Sequence, residues 1–261
     1  MADQATISAL AKELYQALKQ NRAVEPLTER YPGLSIEDAY QIQKVNVEKM
    51  IAEGARIVGK KIGLTSLAMQ QMLGVFEPDF GQIFDRMVLA KGELSMSKAI
   101  QPKAEGEIAF VLKDDLAGPG VSAFDVIRAT DFLLPAIEII DSRIKDWKIK
   151  IQDTVADNAS SAFILAGSKP MALGEVDLFA TGMVILKNGR VAATAAAAAV
   201  MDNPLNAVAW LANKLAQFGG RLKKGEIILS GSLAAAVPLK AGDLVEVVFD
   251  RLGSVRLCLI E

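Results

Sequence analysis

Glu105-Gly106-Glu107-Ile108-Ala109-Phe110-Val111-Leu112 carries two carboxylates into an apolar run, and its reading decides the fold. Residues two apart on a strand point to one face, so Glu105 and Glu107 stand side by side at the head of a segment hydrophobic enough to be buried. Glu138 poses the same problem on a second strand, alone within Leu133-Leu134-Pro135-Ala136-Ile137-Glu138-Ile139-Ile140. A buried carboxylate must be paired, protonated or bound to metal. A cation shared by Glu105, Glu107 and Glu138 removes their mutual repulsion, and a donor set made only of oxygen suits a hard ion such as Mg²⁺ or Mn²⁺. The competing readings are an exposed edge strand for Glu105 and Glu107, and for Glu138 a structural ion pair with Arg143 or Lys61.

The rest of the composition narrows the chemistry. The 261 residues include no histidine, which removes Ser-His-Asp and Cys-His triads, imidazole bases and His-rich zinc sites. Cys258 is the only cysteine, so neither a disulfide framework nor a thiolate metal site can form within the chain. Acid-base work falls to Glu, Asp, Lys, Tyr or water. With 51% hydrophobic and 23% charged residues and a net charge of −2, the chain reads as a folded protein with a small-molecule ligand. Nothing in that balance draws it to nucleic acid or an acidic membrane surface. The longest small-apolar stretch, residues 195–201, falls far short of the roughly 20 residues needed to cross a bilayer. The start, Met-Ala-Asp-Gln, lacks the basic-then-apolar order of a secretory signal, and a cytoplasmic setting is expected.

The expected class is α+β, with a small N-terminal helical module over residues 1–55 on a strand-rich catalytic domain over residues 56–261. Ile7, Leu10, Ala11, Leu14 and Leu18 recur at helical spacing over residues 6–18, and Ser35 offers an N-cap for a second helix reaching Gly54. Beyond Gly54, short apolar runs punctuated by Gly, Pro and Asn read as nine strands. Lys187-Asn188-Gly189-Arg190 predicts a type I′ hairpin, and Asn203-Pro204 begins a third amphipathic helix that Gly219 should end.

Further polar groups stand out. In Gly59-Lys60-Lys61-Ile62-Gly63-Leu64-Thr65-Ser66, strand alternation turns one lysine inward, and Lys61, nearer the glycine turn, is the candidate. Glu77-Pro78-Asp79-Phe80-Gly81 reads as a tight turn that presents Asp79 at a pocket rim. Residues 153–160 form a dense polar loop, and Ser230-Gly231-Ser232 places hydroxyls at a strand end; either could orient a carboxylate.

Read together, these stretches resemble the bacterial 2-hydroxypenta-2,4-dienoate (2-oxopent-4-enoate) hydratases of the fumarylacetoacetate hydrolase superfamily. The likeness runs through residues 59–66, 78–81, 101–109, 139–143, 146–148, 153–160 and 228–232. It implies a mixed β roll, Glu105, Glu107 and Glu138 as metal ligands, Lys61 as an active-site lysine, and Asp79 at the far end of a dienol or 2-oxo acid substrate. It further implies substrate contacts from Leu64, Thr65, Ser160 and Ser230, a Mg²⁺ or Mn²⁺ cofactor, and a ring-like homo-oligomer, pentamer or decamer. The implied reaction is hydration of 2-hydroxypenta-2,4-dienoate to 4-hydroxy-2-oxopentanoate during meta-cleavage breakdown of aromatic compounds.

The nearest alternative by resemblance is the 2-oxo-3-hexenedioate (4-oxalocrotonate) decarboxylase, or a non-catalytic subunit in complex with it. Asp79 and the run 146–153 resemble the hydratases instead; a third option, a hydratase accepting a longer diacid, would want a further basic residue for the second carboxylate, and none is evident in the sequence. The chain departs from related hydratases at 195–199, which is all alanine where they have glycines. A positive φ there would strain it.

Overall fold

The computed structural model describes residues 2–66, 70–71 and 75–261. Helix α1 (Gln4–Gln20) begins where the Asp3 side chain accepts the Thr6 N–H and ends at Asn21 in left-handed geometry. A short α2 (Leu27–Arg30) leads to α3 (Ile36–Ala52), whose start is the reciprocal capping box of Ser35 and Asp38. Later helices are α4 (Ala123–Ala129), α5 (Ile151–Ala156) and α6 (Pro204–Ala216), the last capped by Asn203.

The strands are β1 (Ile57–Gly63), β2 (Asp79–Phe84), β3 (Glu93–Ser95), β4 (Lys103–Leu112), β5 (Thr130–Ile140), β6 (Ser161–Ala166), β7 (Gly182–Lys187), β8 (Arg190–Ala196), β9 (Ile227–Leu229), β10 (Val237–Pro238), β11 (Leu244–Phe249) and β12 (Gly253–Ile260). They form two mixed sheets. The first runs β2-β1-β9-β4-β5-β6, with β10 also on β4; the second runs β3-β12-β11-β7-β8.

The nine expected strands are present, and the Asn188-Gly189 turn has both residues at positive φ, as a type I′ hairpin requires. Three short strands escaped the reading: β2, β3 and β10. Asp79 is therefore the first residue of a strand paired with β1, not part of a tight turn, because Gly63↔Asp79 begins a ladder that continues through Phe80 and Gly81. The expected polar loop 153–160 is also partly helical: α5 takes its first four residues. Alanines 195–199 lie at ordinary negative φ, so no strain arises there; the left-handed positions are Met201 and Asp202.

A single apolar cluster runs from Ile7 and Leu14 through Ile108, Phe110 and Ile137 to Val247 and Leu259. Each such fully buried side chain contributes roughly 1.5–3 kcal/mol. The N-terminal helices share this core. The sheets pack tightly at Gly106, where an added Cβ would overlap Met183 Sδ and come within 2.8 Å of Val247 Cγ1. One face of β4 thus packs on the second sheet, and the other is free to carry the carboxylates.

Candidate active site

Strand register brings the three glutamates together. Glu105 stands opposite Glu138 in the antiparallel β4–β5 ladder, and Glu107 follows on the same face, so carboxylate oxygens from all three lie within 4.8 Å of one another. Directly opposed like charges on strands are destabilising, the more so when water is excluded. Glu107 and Glu138 are 0% exposed. Glu107 Oε2 accepts the Gly231 N–H at 2.7 Å, whereas Glu107 Oε1 and both oxygens of Glu138 have no hydrogen-bond partner among the described residues. Burial first, then Glu138 and Glu105, holds the Glu107 carboxyl well above its usual range. Burial likewise pushes Glu105 up to about 7, against the pull of Lys61. Orphaned, buried, converging oxygens with no nitrogen or sulfur donor fit a hard divalent cation.

Lys61, 3% exposed, points into the same space. Its Nζ lies 3.4 Å from Glu138 Oε2 and donates to the Ala159 carbonyl at 3.2 Å. Burial draws the ammonium down, but Glu138, Asp79, Glu105 and Glu107 together hold it above its ordinary value. Asp79, 2% exposed, accepts from Thr154 Oγ1 at 3.3 Å through Oδ2, and its Oδ1 has no hydrogen-bond partner among the described residues. Burial raises its pKa, opposed by Lys61 and Thr154. Glycine at 63 is what admits this pair: a Cβ there would overlap Asp79 Oδ1 and sit 3.1 Å from Lys61 Nζ.

The wall opposite β1 is a turn in which Asn158, Ala159 and Ser160 all have φ between 51° and 54°. Non-glycine residues adopt this region at a cost and hold it only when surrounding bonds over-determine it. Here Asn158 exchanges two hydrogen bonds with the Gln82 backbone, at 2.8 and 2.9 Å. Buried Arg143 pairs with Asp157 and donates to the Asp141, Asp157 and Ser161 carbonyls. Of the polar run 153–160, Thr154, Ala159 and Ser160 reach the cavity. Asp153 is instead committed to Thr28, at 2.6 and 3.1 Å, and to the start of α5.

These groups border a cavity of about 610 Å³. Leu64, Thr65 and Ser160 line it, as do Lys61, Asp79 and Glu105; Glu107 and Glu138 lie beneath. Ser230 also lies beneath, fully buried, its hydroxyl without a hydrogen-bond partner among the described residues; of the Ser230-Gly231-Ser232 hydroxyls it is Ser232 that lines the cavity. Lys103 and Trp147 line the wall too, so the cavity has a basic residue that the sequence reading did not locate. Its place was legible: Lys103 is two residues before Glu105 on one strand, hence on the same face.

Lys60 does not face solvent, as alternation alone suggests. It is buried against Glu226 on the other side of β1, beside a separate cavity of about 750 Å³ that holds no carboxylate cluster among the described residues.

Fold and donor set together define a cluster of three carboxylates, arranged as a divalent cation could use it, set into a two-sheet roll. The chain belongs to the fumarylacetoacetate hydrolase family: residues 80–260 match the model described as fumarylacetoacetate (FAA) hydrolase C-terminal. The 2-hydroxyhexa-2,4-dienoate hydratase of Comamonas testosteroni is 48% identical over 257 residues, 97% of either chain. The 2-hydroxypent-2,4-dienoate hydratase of Pseudomonas putida is 52% identical over 219 residues, covering 83% of this chain and 99% of its own. Among solved structures, the 4-oxalocrotonate decarboxylase from Pseudomonas putida G7, complexed with magnesium and adipate, superposes with a TM-score of 0.96 at 39% identity, over 100% of this chain and 99% of that one.

Proposed function

We propose that the chain is a hydro-lyase that converts 2-hydroxypenta-2,4-dienoate to 4-hydroxy-2-oxopentanoate. The observation that carries the reading is the meeting of Glu105, Glu107, Glu138, Lys61 and Asp79 at one cavity, in a chain 48% and 52% identical to proteins named as dienoate hydratases. Glu105, Glu107 and Glu138 would hold a divalent ion, Mg²⁺ or Mn²⁺ in this reading, which would supply Lewis-acid chemistry to the substrate.

The protein's own groups do the rest. Lys61, held charged by the carboxylates around it, is suited to stabilise negative charge as the 2-hydroxyl gives up its proton. Asp79 can hold a proton in the buried end of the cavity and deliver it to C5, which turns the dienol into an α,β-unsaturated 2-oxo acid. The resulting carboxylate, beside the Thr154 and Ser160 hydroxyls, takes a proton from the attacking water as the water's oxygen bonds to C4, and the proton given up by the 2-hydroxyl returns through solvent to C3. In this reading the enzyme works in the cytoplasm as a ring-like homo-oligomer, and association with the pathway decarboxylase belongs to the same proposal.

The decarboxylase likeness in the solved structures supports a second reading, decarboxylation of 2-oxo-3-hexenedioate. Proton NMR separates the two when freshly generated 2-hydroxypenta-2,4-dienoate is incubated with the protein and either Mg²⁺ or EDTA. Metal-dependent 4-hydroxy-2-oxopentanoate is expected. No product there, with decarboxylation of 2-oxo-3-hexenedioate in a parallel tube, would transfer the assignment to the decarboxylase; Mg²⁺ binding with neither product would leave a non-catalytic partner.

A further inference from the structure

We propose that Lys103 receives the substrate's carboxylate at the outer end of the cavity, so that a 2-oxo acid lies with its carboxylate against Lys103 and its unsaturated tail toward Asp79. The inference rests on the functional reading above and adds a direction and a charge requirement to it.

Lys103, Glu105 and Glu107 occupy alternate positions on one face of β4, each step about 7 Å along the strand. Glu107 lies beneath the cavity, Glu105 reaches its lining, and Lys103 stands one step further out. The half-buried Lys103 side chain makes no ion pair among the described residues. Its ammonium rests instead 4.1 Å from the centroid of the Trp147 ring. An aromatic face attracts a cation without consuming its charge or its hydrogen-bond donors.

The ring is fixed. Trp147 Nε1 donates to the Gln101 carbonyl at 2.9 Å, and the Gln101 side chain donates to the Ser142 and Ile144 carbonyls. Asp146 and Trp147 both take the costly left-handed conformation, with φ of 58° and 55°. The turn is thus held in a form that lays an indole beside a lysine on the cavity wall.

Charge balance points the same way. An incoming carboxylate needs a cation, and of the two lysines that line the cavity among the described residues Lys103 is the one without an anionic partner there. Among the described residues no third lysine or arginine lines the cavity to meet a second carboxylate, so the site is matched to monocarboxylic 2-oxo acids.

The test uses Mg²⁺-saturated full-length protein and 2-oxopentanoate, which carries the chelating end but cannot react. Calorimetry should show Lys103→Met weakening 2-oxopentanoate binding by about 10- to 100-fold, the worth of one charge-assisted hydrogen bond. Mg²⁺ affinity should stay within about twofold, Lys103→Arg should restore most of the binding, and in turnover the Met variant should raise KM with little change in kcat.

Unchanged 2-oxopentanoate affinity in Lys103→Met overturns the proposal, as does failure of the wild type to bind it. An equal loss of Mg²⁺ affinity also overturns it, since Lys103 would then merely offset the glutamates. Loss confined to the diacid 2-oxoadipate overturns it as well, by placing Lys103 at the far end of the ligand. Binding is read without turnover, so Lys103-dependent binding by a protein that hydrates nothing would sink the hydratase reading alone.

Discussion

Lys60 and Lys61 are neighbours on one strand, each nearly sealed from water and each facing a glutamate, yet they sit in opposite kinds of surroundings. Lys60 Nζ is 2.7 Å from both oxygens of Glu226, and Glu226 Oε2 also accepts the Lys223 N–H at 2.9 Å. Every charge there has its partner. Lys61 is 3.4 Å from a Glu138 whose two oxygens lack hydrogen bonds, among three further carboxylates with raised pKa values. A satisfied buried pair has little capacity left for a ligand, and an unsatisfied cluster destabilises the fold until something enters it. Burial of a lysine therefore says little about function; the balance of donors and acceptors around it says more.

The comparison breaks most visibly at Glu107. Glu107→Gln should abolish Mg²⁺ binding by calorimetry and lower turnover at least about 1,000-fold with an unchanged circular dichroism spectrum, the expected effect of losing a ligand and its Lewis acid. In the wild type, Mg²⁺ affinity should rise with pH through about 7, because Glu105 must lose a proton that the metal-free protein retains. Unchanged affinity in the variant would remove the metal assignment.

A smaller effect is expected at Gly63→Ala, whose methyl overlaps Asp79 Oδ1. Displacing that carboxylate by about 1 Å should cost roughly 100-fold in kcat/KM, with Mg²⁺ affinity little altered. Wild-type rates would show that Asp79 takes no part. The smallest effect on chemistry belongs to Lys60→Met. It strands Glu226 and should cost about 3–5 kcal/mol in urea unfolding while the folded fraction keeps its kcat/KM. If activity fell as far as in Gly63→Ala, the two faces of β1 would not be separable.

The sequence reading reached the site where side-chain period decides the outcome. Glu105 and Glu107 share a face, Glu138 stands out against an apolar strand, and Lys61 lies nearer a glycine turn; each is a local inference. It failed where the deciding fact is tertiary. Pro78 and Gly81 look like turn residues, but Gly81 is small because Asn158 O lies against it, and Asp79 opens a strand because β1 is there to pair with. Residues 158–160 carry no glycine to announce their left-handed turn; the Gln82 backbone, bonded to the Asn158 side chain, and Arg143 impose it from outside. Lys60 shows the same limit, since its partner Glu226 is 166 residues away in the chain.

Gly106 sits between two of the clustered glutamates and takes no part in their chemistry, yet it couples them to the far side of the molecule. With Met183 and Val247 pressed against its backbone, β4 has no room to retreat, and the spacing of the carboxylates is gauged by the thickness of the interface behind them. The second sheet, which reaches no ligand, thereby acts as the anvil on which the centre is shaped. Sequence drift at its inner face would be felt first as a change in which ion the protein prefers, before any loss of fold.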